Sequence, residues 1–258
     1  VSSVEPLAAI VRRLRAPDGC PWDREQTHES LRSCLIEECY EAIEAINGRD
    51  DENLREELGD VLLQVVMHSE MASERDAFDI DSVVAGICEK LVRRHPHVFG
   101  DAKVADSKDV LKNWEQIKRE EKGGSHSVFT GLTKGLPALL RAQTAQKKAA
   151  RVGFDWPDPS GATAKIHEEL DEVLDAATNA SARPERLEDE IGDLLFAAVN
   201  LARHYKVDAE TALSAATEKF IRRFQFVEDA VAVSGRRVEE CSLDELEDAW
   251  ERAKRDEQ

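Results

Sequence analysis

Residues 35–66 read LIEECYEAIEAINGRDDENLREELGDVLLQVV, and the placement of the acids in this stretch decides the fold. Leu31, Leu35, Ala42 and Ile46 recur at helical spacing, and Leu54, Leu58, Val61, Leu62 and Val65 do so again after Asn47-Gly48. The pattern predicts two helices joined by a short turn. At about 100° per residue, Glu38 falls inside the apolar face of the first helix, and Glu41 follows one turn later as its neighbour. Glu57 and Asp60 repeat that spacing on the second helix, just before VLLQVVM, a run whose one polar residue is Gln64. Such a run predicts a helix through the middle of a core. Two carboxylate pairs therefore face a shared interior, where uncompensated they would repel one another and lose hydration. Divalent cations that prefer oxygen ligands offset both penalties. The motif carries neither thiolate nor imidazole, so the expected ion is Mg²⁺, with Mn²⁺ as a substitute.

Outward from this stretch the chain continues in helical period, beginning with Leu7, Ile10, Val11 and Leu14. Nothing alternates as a strand would, and the expected class is all-α. Breakers fall at Pro17 to Pro21, Asn47-Gly48, His95-Pro96, Gly123-Gly124, Asp155 to Gly161 and Pro184, where Gly or Pro favours turns. The stretch EEKGGSHSVFTGLTKGLP is glycine-rich and loses the period, and Pro137 suits the first turn of a new helix.

Four segments then return in the same order. EECYEAIEA returns as EELDEVLDA, EELGDVLLQVV as DEIGDLLFAAV, EKLVRRHPHVF as EKFIRRFQFVE, and NWEQIKREE as AWERAKRDE. Glu37 maps to Glu168, Glu57 to Glu190, Glu89 to Glu218 and Trp114 to Trp250, at offsets of 129 to 136 residues. One acidic match is unremarkable in a chain that is 34% charged, but four collinear matches at nearly constant offset imply duplication. The expected domains are residues 1–122 and 137–258, joined by a linker at 123–136. Gly59 and Gly192 recur beside the acidic pairs; an interior helical Gly costs about 1 kcal/mol relative to Ala, so both are expected at a close helix approach.

Composition excludes several classes. The chain has 258 residues, 53 acidic against 35 basic, and a formal charge of −18, which opposes nonspecific binding to nucleic acid. No apolar run approaches the roughly 20 residues of a membrane helix, and the opening VSSVEPLAAIVRRL does not have the layout of a signal peptide. No membrane association and a cytoplasmic location are expected. Cys20, Cys34, Cys39, Cys88 and Cys241 form no C-x-x-C pair, which argues against a disulfide framework or zinc knuckle. Apolar residues on more than one side of the helices, at Leu62, Val66 and Met67, lead us to expect a homodimer.

The combination EECYEAIEAI, EELGDVLLQVV, EKLVRRHPHVF and NWEQIKREE, with GCPWDREQT upstream and VGFDWP before the second copy, resembles the MazG family of tandem-domain nucleoside triphosphate pyrophosphohydrolases. The resemblance spans nearly the whole chain. It implies two all-α units resembling four-helix bundles, and Mg²⁺-dependent hydrolysis of nucleoside triphosphates, ribo and deoxy, to monophosphate and pyrophosphate. The family's ligand positions fall on Glu38, Glu41, Glu57 and Asp60, and on Glu169, Glu172, Glu190 and Asp193. Glu37 and Glu168, one residue earlier, are expected behind the ligands or orienting water. The family's phosphate-contacting basic residues fall on Lys90 and Arg94, and on Lys219 and Arg223; Trp114 with Lys118, and Trp250 with Lys254, match its nucleotide contacts. The resemblance favours the C-terminal copy as the more active one.

Two other classes compete. A di-metal oxidoreductase would repeat Glu-x-x-His on two helices, whereas Glu25 to His28 occurs once, beside a loop. A non-catalytic helical scaffold is separated from an enzyme by whether metal and nucleotide bind. His95-Pro96-His97 is expected in a loop or interface, and Trp22 and Trp156 are expected as hydrophobic staples or pocket walls ahead of each acidic helix.

Overall fold

The computed structural model describes residues 4–121, 127–178 and 184–256, and among them it contains helices and no strand. Two compact units divide the chain, residues 1–118 and 119–258. Unit 1 carries α1 (Glu5–Arg15), α2 (Pro21–Glu25), α3 (Arg32–Gly48), α4 (Asp51–Ser73), α5 (Ile80–Arg94), α6 (Pro96–Phe99) and all but the last turn of α7 (Ser107–Glu121). Unit 2 carries α8 (Ala138–Ala150), α9 (Pro159–Thr178), α10 (Pro184–His204), α11 (Ala209–Val233) and α12 (Leu243–Asp256). Of the expected linker, residues 123–126 lie outside the described residues; residues 128–131 form a turn, and Pro137 caps α8 from just outside it.

The same packing recurs in both units. The acidic helices pair, α3 with α4 and α9 with α10, while α1 lies on α4 as α8 lies on α10. Local chemistry sets the ends. The Asp50 side chain accepts from the N–H groups of Glu52 and Asn53, at 3.1 and 3.0 Å, and starts α4. Asp79 and Ser82 satisfy each other's backbone N–H at the start of α5, and Asp208 accepts from Thr211 N at 3.0 Å to start α11. Side-chain caps of this kind satisfy the otherwise unpaired first-turn donors.

Three expectations need correction. First, α3 does not turn at Asn47-Gly48 but runs through Gly48, and the left-handed residue is Arg49, at φ 54°. The N–H groups of Arg49 and Asp50 return to the Ile46 and Ala45 carbonyls there, and these bonds hold a non-glycine residue in αL. Second, VLLQVVM is not enclosed all round: Gln64, Val66 and Met67 are buried, whereas Leu62 and Val65 are 39% and 37% exposed. The core of unit 1 sits at the far half of α4, where Val66, Met67 and Met71 meet Ala8 and Val11 of α1, together with Leu31 and Ile80. Third, Gly59 and Gly192 mark no close approach, because a Cβ built on either meets no described atom within 4 Å.

The units diverge where their sequences do. In unit 1, α5 stops at Arg94, and Pro96, which has no N–H to continue the ladder, opens the separate short α6. In unit 2 the corresponding segment RRFQF has no proline, and α11 runs unbroken for 25 residues.

Candidate active site

Helix pairing delivers the acids to one another. In unit 1, carboxylate oxygens of Glu38 and Glu41 on α3 and Glu57 on α4 all lie within 4.8 Å of one another; in unit 2 the same holds for Glu169 on α9 with Glu190 and Asp193 on α10. The fourth member of each tetrad is coupled to the group. Glu38 is pushed above the usual carboxylate range by burial, by the charges of Asp60, Glu41 and Glu57, and by a hydrogen bond with Glu41. Glu57 is raised by lost hydration and then by Glu41 and Asp60. Glu172 is raised first by its close contact with the Glu169 carboxylate, then by burial, and then by the charges of Glu169 and Glu190. Mutual repulsion is thus built into both groups.

One residue distinguishes the groups. Lys165 on α9 places Nζ 2.6 Å from Glu169 Oε1 and 2.9 Å from Glu168 Oε1, and these bonds raise its pKa. Glu169 is 3% exposed, and its other oxygen, Oε2, is buried with no hydrogen-bond partner among the described residues. An all-oxygen donor set with one buried, unpaired carboxylate oxygen fits a hard divalent cation. The repeat places Cys34 where unit 2 has Lys165, so Glu38 has no such lysine one turn before it. Glu37 and Glu168 are exposed beside the clusters, Glu168 held by Lys165. Arg186 also reaches Glu190, at 3.3 Å.

Several of the expected basic and aromatic residues gather around Trp114 and Trp250. Arg94 Cζ and Lys118 Nζ lie 5.6 and 5.8 Å from the centre of the Trp114 ring, and His95 meets that ring edge-on at 4.9 Å. In unit 2, Arg223 lies 5.9 Å from the Trp250 centre, which also packs on Phe220. Lys90 and Lys219 are exposed one turn before these arginines, and Lys254 pairs with Glu251 at 2.7 Å.

Beside the second acidic group lies a cavity of about 630 Å³ whose lining includes Lys165, Glu169, Asp193, Phe154, Trp156 and Phe196. Its volume is that of a small-molecule site. Trp156 therefore stands as a pocket wall, and it rests against Gly161, where a Cβ would come within 2.4 Å of the ring. Trp22, by contrast, is 60% exposed. Asp155, also in the lining, is grasped through both oxygens by Arg203; burial pushes its carboxyl up, but the Arg203 bonds and the charges of Arg203 and His204 outweigh that and hold it low. Sequence reasoning missed Lys165, Asp155 and Arg203. The i, i+4 spacing of Lys165 to Glu169 was a readable signal; the Asp155–Arg203 pair, 48 residues apart, left none.

Acid clusters on paired helices, repeated in tandem, define an all-α, carboxylate-centred class of protein. The MazG nucleotide pyrophosphohydrolase domain matches the chain twice, over residues 26–99 and 158–227, and the chain belongs to that family. It is 50% identical over 251 residues to the Thermotoga maritima nucleoside triphosphate pyrophosphohydrolase/pyrophosphatase MazG, covering 97% of this chain and 95% of the relative. It is 46% identical to the nucleoside triphosphate pyrophosphohydrolase of Escherichia coli K12, covering 100% and 99%. Bacillus subtilis YabN, an uncharacterized protein, is 48% identical over 95% of this chain and 50% of its own length.

Proposed function

We propose that this chain hydrolyses nucleoside triphosphates, ribo and deoxy, to nucleoside monophosphate and pyrophosphate. The observation that carries the reading is Glu169: a buried carboxylate with an unpaired oxygen, grouped with Glu190 and Asp193, on the wall of a nucleoside-sized cavity. The names of the full-length relatives point the same way.

The residues that would hold Mg²⁺, or Mn²⁺, are Glu169, Glu172, Glu190 and Asp193 in unit 2, and Glu38, Glu41, Glu57 and Asp60 in unit 1. When bound, such an ion supplies neutralisation of phosphate charge and activation of the attacking water. Around it the chain's own groups act. Glu168 or Glu37 would orient a water towards the α-phosphorus and take its proton as the new P–O bond forms and the α–β bridging bond breaks, so that pyrophosphate leaves with the bridging oxygen. Lys219 and Arg223, or Lys90 and Arg94, carry positive charge suited to the departing phosphates, while Trp250 and Trp114 with Lys254 and Lys118 position the nucleotide. In-line displacement of this kind depends on positioning and electrostatics rather than on a covalent protein intermediate.

We also infer a cytoplasmic homodimer. All five cysteines are free, which suits a reducing compartment, and no helix among the described residues is long and apolar enough to cross a membrane. Leu58 and Leu62 on α4, and Leu170, Leu174, Ile191 and Leu195 on α9 and α10, are all at least 39% exposed, an apolar surface that a second copy would cover. Light scattering should give a dimer mass at micromolar protein; a stable monomer removes this part of the account.

Raised carboxyl pKa values make the folded clusters bind protons more readily than the unfolded chain does, so each cluster alone lowers stability as pH rises through its range. Mg²⁺ at about a hundredfold excess over its Kd should therefore stabilise the fold by about 2–3 kcal/mol at neutral pH. That gain should shrink towards about pH 4–5, where protons compete for the oxygens. Calorimetry with and without the ion reads both; a gain that does not change with pH contradicts the carboxylates as ligands.

Product analysis tests the reaction and the division of labour together. ATP and dATP should yield monophosphate and pyrophosphate as primary products. Glu190→Ala should remove the larger part of the activity and Glu57→Ala the smaller, with the double variant at least about a hundredfold down and still helical by circular dichroism. Diphosphate with orthophosphate as primary products refutes the bond assignment, and a folded double variant at the parental rate refutes the site.

A further inference from the structure

Each unit has a tryptophan ahead of its acidic helix pair, Trp22 in unit 1 and Trp156 in unit 2. The two are held differently. Trp22 is 60% exposed, whereas Trp156 lines the cavity and is fixed at both its ring and its backbone. The ring lies against Gly161 at the start of α9. This glycine is outside the cavity lining, yet a Cβ built on it would come within 2.8 Å of three carbons of the indole. Glycine is therefore what allows the ring to occupy that place.

The backbone is fixed from α10. Arg203 donates through Nη1 to Asp155 Oδ2 at 2.9 Å and through Nη2 to Oδ1, a two-pronged pair that sets direction as well as distance. Asp155 Oδ1 also accepts from the backbone N–H of Trp156, at 3.0 Å. The clamped carboxylate thus holds the tryptophan's own peptide. Arg203 is oriented in turn by Asn200, whose Oδ1 accepts from Nε at 2.8 Å, and its side chain is only 11% exposed. Glu190 and Asp193 stand on the same helix as Arg203, so one rigid element registers the aromatic wall against the acids.

Unit 1 carries none of these parts. Following the repeat from Trp156 to Trp22 and from Glu190 to Glu57, Pro21 stands in place of Asp155 and Glu70 in place of Arg203. Pro21 has no acceptor on its side chain, and Glu70 has the opposite charge to arginine and turns to Arg12, at 3.7 Å. No glycine occurs between Trp22 and Glu38.

We propose that Gly161 and the Asp155–Arg203 pair are positioning residues for the substrate of unit 2, holding Trp156 as the wall against which the nucleoside of the triphosphate lies. This rests on the triphosphate reading above and deepens it. Every base has an aromatic face, so such a wall serves purines and pyrimidines alike and strengthens binding without selecting among them. The wall acts on the nucleoside and leaves the phosphates to the charged groups.

The test measures KM and kcat for ATP and dCTP in the full chain with Mg²⁺, and the inhibition constant of inorganic tripolyphosphate, which has no nucleoside. Gly161→Ala places a methyl where the ring lies. It should raise KM for both nucleotides by at least about tenfold, the size of one lost base–aromatic stack, with kcat within about threefold of the parent. Inhibition by tripolyphosphate should stay within about threefold. Arg203→Met should act in the same direction, and Arg203→Lys, which keeps one charged bond to Asp155, should recover at least half of the loss on a logarithmic scale. Circular dichroism checks the fold; if Arg203→Met is unfolded, Gly161→Ala decides alone, since Ala is the better helix former. Folded variants with parental KM, or a rise in KM matched by an equal weakening of tripolyphosphate, overturn the positioning role and leave the hydrolase reading standing. A parent that hydrolyses neither nucleotide overturns both.

Discussion

Repulsion among half-buried carboxylates is the constraint around which this chain is organised. In each unit two helices must pair closely enough to bury apolar residues, yet each carries acids on the side that turns towards the other. The result is three carboxylates within 4.8 Å and a fourth coupled to them. Left alone, such groups resist ionisation, the direction in which Glu38, Glu57 and Glu172 are pushed, or they recruit positive charge. Unit 2 recruits Lys165, whose ammonium binds Glu168 and Glu169. A divalent ion would do the same with more charge and more ligands, and a triphosphate would then find its counter-charge in a chain that is otherwise strongly acidic.

The two copies have kept this constraint and diverged around it. Where Ala149 lines the cavity of unit 2, the repeat places Arg15 in unit 1. Its guanidinium bonds the Asp23 and Gln26 carbonyls and grips Glu74, at 2.6 and 2.8 Å. A short cavity-lining side chain in one unit thus corresponds to a long, bonded one in the other. Pro96 interrupts α5 where α11 continues, and Cys34 stands in for Lys165. Among the described residues each unit keeps an acidic group, and in unit 2 an aromatic cavity lies beside it.

Much of this was legible from residue order. Helical class, duplication and the meeting of Glu38, Glu41 and Glu57 follow from period and spacing, because on a helix a three-residue step is a spatial neighbour. What escaped was set by tertiary contact. Periodicity located the apolar faces of α4 but not which one the chain covers, so Gln64 is buried while Leu62 is exposed. Gly48 looked like the turn, yet returning backbone bonds moved the left-handed residue to Arg49. Gly59 and Gly192 looked like contact points and meet open space.

The most direct test of the central claim, that the acidic groups are cation sites and not merely strained surfaces, is anomalous diffraction at the manganese edge from crystals grown with Mn²⁺. The account predicts a peak about 2.0–2.4 Å from oxygens of Glu169, Glu190 and Asp193, with Lys165 withdrawn from Glu169. A map with no manganese among those carboxylates, and with the Lys165–Glu169 bond intact, would contradict it.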